Sequence, residues 1–292
     1  MRVYRFAPAP AAPTPIPTTR AYPSSLTDAE WTVLQPLVQR PATPQGGRPP
    51  KHPLRQIIDA IRYLVRTGCA WRLLPRDFPP PGTVYWWFTK WAADGTLQRV
   101  HDVLREQVRV AAGRRPAPSA AIIDSQSVRA ADTVPKVSRG WDAGKKVNGR
   151  KRHLAVDTLG LLLVVLVTAA SIQDRDAARP LLWRLRVDYR GIRLCWADGG
   201  YGGRLVAWAA RMLQLVVEIV RKRPGQSTFE PLPRRWVVER TLAWTSKHRR
   251  TVRDYERLPA HHAAMVTWAM IAVMTRRLAR PHRPPSIQTN TA

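Results

Sequence analysis

Hydrophobic positions recur at helical spacing through the first third of the chain and at strand spacing after it. Residues 25–31 open a helix, with Thr27 as N-cap and Glu30 at the capping-box position. Trp31, Leu34, Leu37 and Val38 carry its apolar stripe, which stops in the basic, breaker-rich run 40–51. A second helix over Leu54–Thr67 sets Ile57, Ile58, Ile61, Leu64 and Val65 on one face, and Gly68 ends it. Residues 71–82 turn into a third helix over 83–93. Val84, Trp87, Phe88 and Trp91 fall there at i, i+3, i+4 and i+7 and should be core, leaving Tyr85, Trp86, Thr89 and Lys90 outward. Helix, basic turn and a helix with an aromatic, polar outer face fits a helix-turn-helix unit, and equally a small bundle with an amphipathic surface. A fourth helix over 95–112 leads into a linker at 114–119.

From Ala120 the pattern becomes strand-like. Residues 121–128 form a short β-run, residues 150–158 alternate, and Leu159-Gly160 turns into an aliphatic strand at 161–168. A helix at Asp174–Asp188 follows, then a strand at 192–197 ending in Asp198-Gly199-Gly200. A helix at 205–213, a strand at 216–220, a basic helix entered at Pro233 and an apolar helix at 260–279 complete the chain. The order β-β-β-α-β-α-β-α-α, without internal repeat, is that of the ribonuclease-H-like fold. The expected class is α/β, with a mixed five-stranded sheet and helices preceded by an all-α, helix-turn-helix-like domain. The expected divisions are a disordered Pro/Ala-rich extension at 1–21, a helical, helix-turn-helix-like domain at 22–113, the ribonuclease-H-like domain at 119–280 and a disordered tail at 281–292.

Charge narrows the class of partner. Lys and Arg number 48 against 20 acids in 292 residues, a formal net charge of +28. Such an excess predicts attraction to a polyanion, nucleic acid before anionic membrane. No apolar run reaches the ~18 residues of a spanning helix. Two cysteines, Cys69 and Cys195, lie far apart and suit a reducing cytoplasm better than a disulfide framework. The expected location is therefore the cytoplasm, in association with the nucleoid. His261-His262 reads as ordinary surface, with no zinc-like spacing.

Three acids then acquire meaning from position. Asp124 lies in an apolar strand, where a charge is costly unless paired or metal-bound. Asp198 ends a strand before a glycine pair that lets the backbone turn sharply. Glu239 stands on the basic helix one turn after Arg235; alone it reads as a neutraliser of its neighbours. Asp157 competes, but precedes the Leu159-Gly160 turn, where an acid is ordinary turn chemistry. Three hard oxygen ligands from a strand, a strand end and a helix could hold two Mg²⁺ or Mn²⁺ ions for in-line phosphodiester displacement. The cluster Lys145, Lys146, Arg150, Lys151, Arg152 and His153 follows the strand of Asp124, so phosphate contacts are expected there.

Residues 122–128 (IIDSQSV), 142–153 (DAGKKVNGRKRH), 196–201 (WADGGY) and 233–240 (PRRWVVER) resemble DDE transposases of bacterial insertion sequences, in the insertion sequence five group. Residues 26–31, 66–72 and 82–85 resemble the DNA-binding region of the same group, so the likeness runs from about Tyr22 to Ala279. The resemblance implies an enzyme that binds terminal inverted repeats, cuts DNA with metal-activated water and joins the freed 3′-hydroxyl to target DNA. It implies Asp124, Asp198 and Glu239 as catalytic, metal-holding acids, and a homodimer or higher multimer on paired DNA ends. The family signature Tyr-(2)-Arg-(3)-Glu-(6)-Lys is matched at Arg235 and Glu239, with Leu232 and Ser246 at the outer positions. On a continuous helix Lys247 lies roughly 80° from the face of Glu239 and Arg250 returns to it, so either could supply the cation. Arg235, Lys247 and Arg250, with Tyr85, Trp86 and Lys90 of the third helix, complete the expected DNA contacts. Two other readings remain open: a decayed or repurposed DNA-binding protein, and a ribonuclease or resolvase on the same fold.

Overall fold

The computed structural model describes residues 22–39, 51–220 and 234–280. The expected extension at 1–21, most of the linker at 40–51, the tail at 281–292, Leu232 and Pro233 lie outside the described residues. Four helices come first: α1 (Asp28–Val38), α2 (Leu54–Thr67), α3 (Pro81–Ala93) and α4 (Thr96–Ala111). β1 (Ala120–Arg129), β2 (Gly140–Asp142), β3 (Val147–Asp157) and β4 (Leu162–Ala169) follow, then α5 (Asp174–Asp188), β5 (Leu194–Ala197), α6 (Arg204–Leu213), β6 (Val216–Ile219), α7 (Arg235–Ser246) and α8 (Pro259–Leu278).

The capping box forms as the sequence dictates, with the Thr27 hydroxyl accepting from the Glu30 amide and the Glu30 carboxylate accepting from the Thr27 amide. Glu30 also pairs with buried Arg62 of α2 at 3.2 Å, so one acid both caps α1 and ties it to α2. Between α2 and α3 the chain runs through residues 68–80 with a 3₁₀ turn at Trp71–Leu73. That connection is longer than the tight turn of a compact helix-turn-helix. Val84, Phe88 and Trp91 are buried as expected, and Trp87 is partly so.

The core strands run in the order β4-β3-β1-β5-β6. β1, β3 and β4 are antiparallel neighbours, while β5 and β6 join in parallel, the mixed topology of the ribonuclease-H-like fold. A sixth strand, β2, adds to the expected five; it forms a hairpin on the first residues of β3. Gly149 permits this crowded crossing, since a Cβ there would collide with the Val128 carbonyl. Apolar side chains of α5 and α6 cover one sheet face, and those of α7 and α8 cover the other. β3 is therefore buried on both faces, and its alternation is not an inside-outside pattern.

α8 serves two cores. Val266 and Met270 pack on the sheet, whereas Ala264, Met265, Trp268, Ala269, Ile271 and Met274 join the core of α1–α4. The N-terminal helices thus bury their apolar faces around the last helix of the chain. Among the described residues no helix is long and apolar enough to cross a membrane, and Cys69 and Cys195 are unpaired.

Candidate active site

Strand register brings the first two acids together. In the parallel pair β1–β5, Ile122 stands opposite Trp196. The pairing ends there, and Asp124 and Asp198 each lie two residues further on, near enough for the charge of Asp198 to act on Asp124; Ile122 and Trp196 pack with Val237, Val238 and Leu242 of α7. Asp198 caps the 3₁₀ turn Gly199–Tyr201, its Oδ1 accepting from the Gly200 amide at 2.8 Å. A Cβ on Gly200 would meet that carboxylate oxygen at 3.0 Å, so the small residue lets the carboxylate fold over its own turn. Asp124 Oδ1 accepts from the Ser125 amide at 2.7 Å.

α7 lays the third acid beside them, with Arg235 between. Arg235 Nη2 lies 3.8 Å from Asp198 Oδ2 and 3.5 Å from Glu239 Oε1. The guanidinium stands where the acids call for a positive charge. Burial pushes the Asp124 carboxyl up to about 6, and the Asp198 charge adds to the rise against the pull of Arg235 and Lys145. The pair is thus short of positive charge, a condition that oxygen-preferring divalent ions relieve. Among the described residues no three His, Cys, Asp or Glu side chains converge closely enough to hold an ion as they stand. Glu239 is nearly half exposed, and Arg235 is its one ion-pair partner among the described residues. By chemistry the donor set suits hard divalent ions, since all three side chains offer carboxylate oxygens.

Sequence reasoning passed over the opposite face of β1. Ser125 points there toward Tyr201 and Asp174 at the start of α5. Tyr201 is buried, and burial with the nearby Asp124 and Asp174 charges raises its phenol pKa. Lys151 joins this group, 3.0 Å from Asp174 Oδ1 and 3.5 Å from Asp142 Oδ2. The signal was present in the aromatic residue that closes the Asp198-Gly-Gly-Tyr201 turn.

Four of the expected DNA contacts need correction. Arg150 is wholly buried, donating to Asp254 Oδ2 at 2.9 Å and to the carbonyls of Glu256 and Arg257. Arg152 is buried against Gln126 and the Thr251 carbonyl, and burial lowers its pKa to about 10. Lys151 is spent on Asp142 and Asp174. Arg250 donates to Glu256 Oε1 at 2.7 Å and to the Cys69 carbonyl. A guanidinium or ammonium enclosed this way has its hydrogen bonds satisfied inside the protein and does not face a phosphate. His153 is enclosed too, bonded to Thr168 at 3.0 Å, and burial lowers its pKa to about 4. Lys145 and Lys146, on the β2–β3 hairpin, are the exposed members of that cluster.

The helix of Glu239 ends at Ser246, so the turn-by-turn extrapolation to Arg250 fails; Arg250 lies in the separate 3₁₀ turn Arg249–Thr251. Lys247 is exposed at the helix end. On α3, Trp86 is exposed with Lys90 5.8 Å from its ring centroid, and Lys90 pairs with Asp94. Tyr85 is partly exposed and packs on Trp71 and on His261 of α8. His262, expected at the surface, is fully buried 3.2 Å from Asp254. Asp157 has the turn role expected of it, accepting from the Leu159 and Leu161 amides, and is paired with Arg109.

Comparison with known proteins identifies the family. Residues 26–101 match the family model for transposases of the IS4/5 family, and residues 115–274 match the transposase DDE domain. A curated relative, the transposase assigned to insertion sequence element IS402 of Burkholderia cepacia, is 28% identical over 140 residues, 45% of this chain and 65% of that protein. The match thus spans less than two thirds of the relative's length. With the family models covering both the helical segment and the sheet, the chain belongs to the DDE transposases of the IS4/5 superfamily.

Proposed function

We propose that the protein binds the terminal inverted repeats of its insertion sequence, cuts DNA strands there and joins the freed end to target DNA. The observation that carries this reading is that Asp198 follows β5, the parallel neighbour of the strand of Asp124, closely enough for its charge to act on Asp124, while Arg235 reaches both Asp198 and Glu239. Asp124, Asp198 and Glu239 would hold two Mg²⁺ or Mn²⁺ ions. When bound, such ions stabilise charge on the attacking and leaving oxygens of an in-line displacement.

The chain's own residues supply the rest. The Ser125 and Gly200 amides each hold one carboxylate oxygen, of Asp124 and of Asp198 respectively, and leave the second oxygen of each for an ion. Arg235 holds the charge of Asp198 and Glu239 until DNA arrives, then turns to a phosphate oxygen as Glu239 swings in. Lys145 and Lys146 meet the backbone beside Asp124. Chains pair on the two ends of the element as a dimer or higher multimer, in the cytoplasm at the nucleoid.

The test is a gel assay on labelled terminal-repeat duplex with Mn²⁺. Asp124→Asn, Asp198→Asn and Glu239→Gln should each shift the duplex without cutting it. Full strand transfer by any one of them refutes the assignment. DNA shifted but uncut by the wild type identifies a binding protein instead, the reading favoured by Leu232 and Ser246 at the signature positions.

A further inference from the structure

A cavity of about 410 Å³ opens away from the acids, between the ends of α4 and α8, the β3–β4 turn and α7. Its floor is apolar, formed by Val108, Ala111, Leu159 and Leu278, and its rim carries Arg240, Trp244 and Arg277. The rim is a cluster of guanidiniums and indole rings. The Arg240 guanidinium lies 4.3 Å from the Trp236 ring centroid and 4.8 Å from that of Trp244, and the Arg277 guanidinium lies 4.2 Å from Trp244. Trp236, Arg240 and Trp244 recur every fourth residue of α7, so they form one ridge.

Both arginines lack a carboxylate partner among the described residues. Arg240 donates to the Leu159 carbonyl at 3.0 Å, while its Nε is buried without a hydrogen-bond partner. The nearest acid to influence them, Asp157, is already paired with Arg109. Burial lowers both guanidinium pKa values, and the charge of Arg240 adds to the effect at Arg277. Two like charges lining one cavity repel one another, and an anion held by both relieves the repulsion. Tryptophan rings set the planes of the two forks but bring no negative charge.

We propose that Arg240 and Arg277 form a second phosphate site, holding a DNA backbone phosphodiester outside the acid cluster with its sugar over the apolar floor. The ligand is DNA because the chain is a transposase, and the site therefore rests on that reading only in its choice of polyanion. Arg240 follows Glu239 on α7, about 100° around the helix. A strand held here is thereby kept in fixed relation to the third acid.

The test is fluorescence anisotropy of labelled terminal-repeat duplex against salt concentration, in EDTA so that no cutting occurs. Each lost phosphate contact lowers the slope of log affinity against log salt by about one. Arg277→Ala should lower the slope by about one and weaken binding roughly tenfold near physiological salt. Arg211→Ala, an exposed cation on α6, should leave the slope at the wild-type value. Arg277→Gln serves as the second variant, and thermal melting verifies that each is folded. An unchanged slope in a folded Arg277 variant, or an equal fall in Arg211→Ala, overturns the proposal. Inorganic phosphate that raises the melting temperature of the wild type but not of Arg277→Ala, with the DNA slope unchanged, assigns the cavity to a free anion and also overturns it. Binding is read without cutting, so a failure of the strand-cutting reading leaves this result separately interpretable.

Discussion

Replacing Asp124 by asparagine should stabilise the metal-free protein at neutral and alkaline pH. The carboxyl is pushed up to about 6 from a model-compound value of 3.8, chiefly by burial. Between those values the folded state binds the proton that the unfolded state has released. The contribution to stability is therefore fully present below pH 3.8 and is lost as pH rises through about 6. At 1.36 kcal/mol per pKa unit, the loss is about 3 kcal/mol. Asparagine keeps the shape and drops the charge, so it behaves as the protonated form at every pH. Urea unfolding in EDTA should show Asp124→Asn gaining about 3 kcal/mol on the wild type between pH 4 and pH 8. Added Mn²⁺ should then close the gap at pH 8 by stabilising the wild type alone. Parallel pH curves for the two proteins would refute the reasoning, because they would mean that Asp124 carries no excess charge.

Enclosed and exposed cations of the motif at 142–153 should behave differently. Arg150→Ala leaves buried Asp254 without its guanidinium and should cost about 3–5 kcal/mol in urea unfolding, whereas Lys145→Ala should leave stability unchanged and lower the salt slope of DNA binding by about one. Arg109→Ala should likewise destabilise by about 3 kcal/mol, since Asp157 is fully buried at the β3–β4 turn. Gly149→Ala should disrupt the β1–β3 pairing and yield protein that unfolds well below the wild-type temperature, because the added methyl group meets backbone on the neighbouring strand.

Elements set by local periodicity were legible in the sequence. α2 and α5 have the expected bounds, and β1, β3 and β4 differ from them by a few residues at most. The nearness of Asp124 to Asp198 was legible through topology, since the fold's order makes their strands parallel neighbours. What escaped was decided by partners distant in the chain. Arg150 and Arg152 read as a solvent-facing basic run because their acceptors, Asp254, Glu256 and the Thr251 carbonyl, lie in a loop roughly a hundred residues later. The end of α7 at Ser246 was hidden because residues 247–250 are basic and compatible with a helix; the Thr251 hydroxyl bonds the Thr245 and His248 carbonyls where the chain turns. Nor did any local pattern signal that α8 would complete the core of the first four helices, since its apolar residues run nearly all round.

The central claim is that Asp124, Asp198 and Glu239 together hold divalent ions on DNA. Electron paramagnetic resonance of Mn²⁺ titrated into the protein–DNA complex tests it directly, because free and bound Mn²⁺ are counted in one sample. The account predicts two ions bound per active site in the wild type, with loss of both in Asp198→Asn and of at least one in Glu239→Gln. Equal Mn²⁺ binding by the wild type and Asp198→Asn would contradict it.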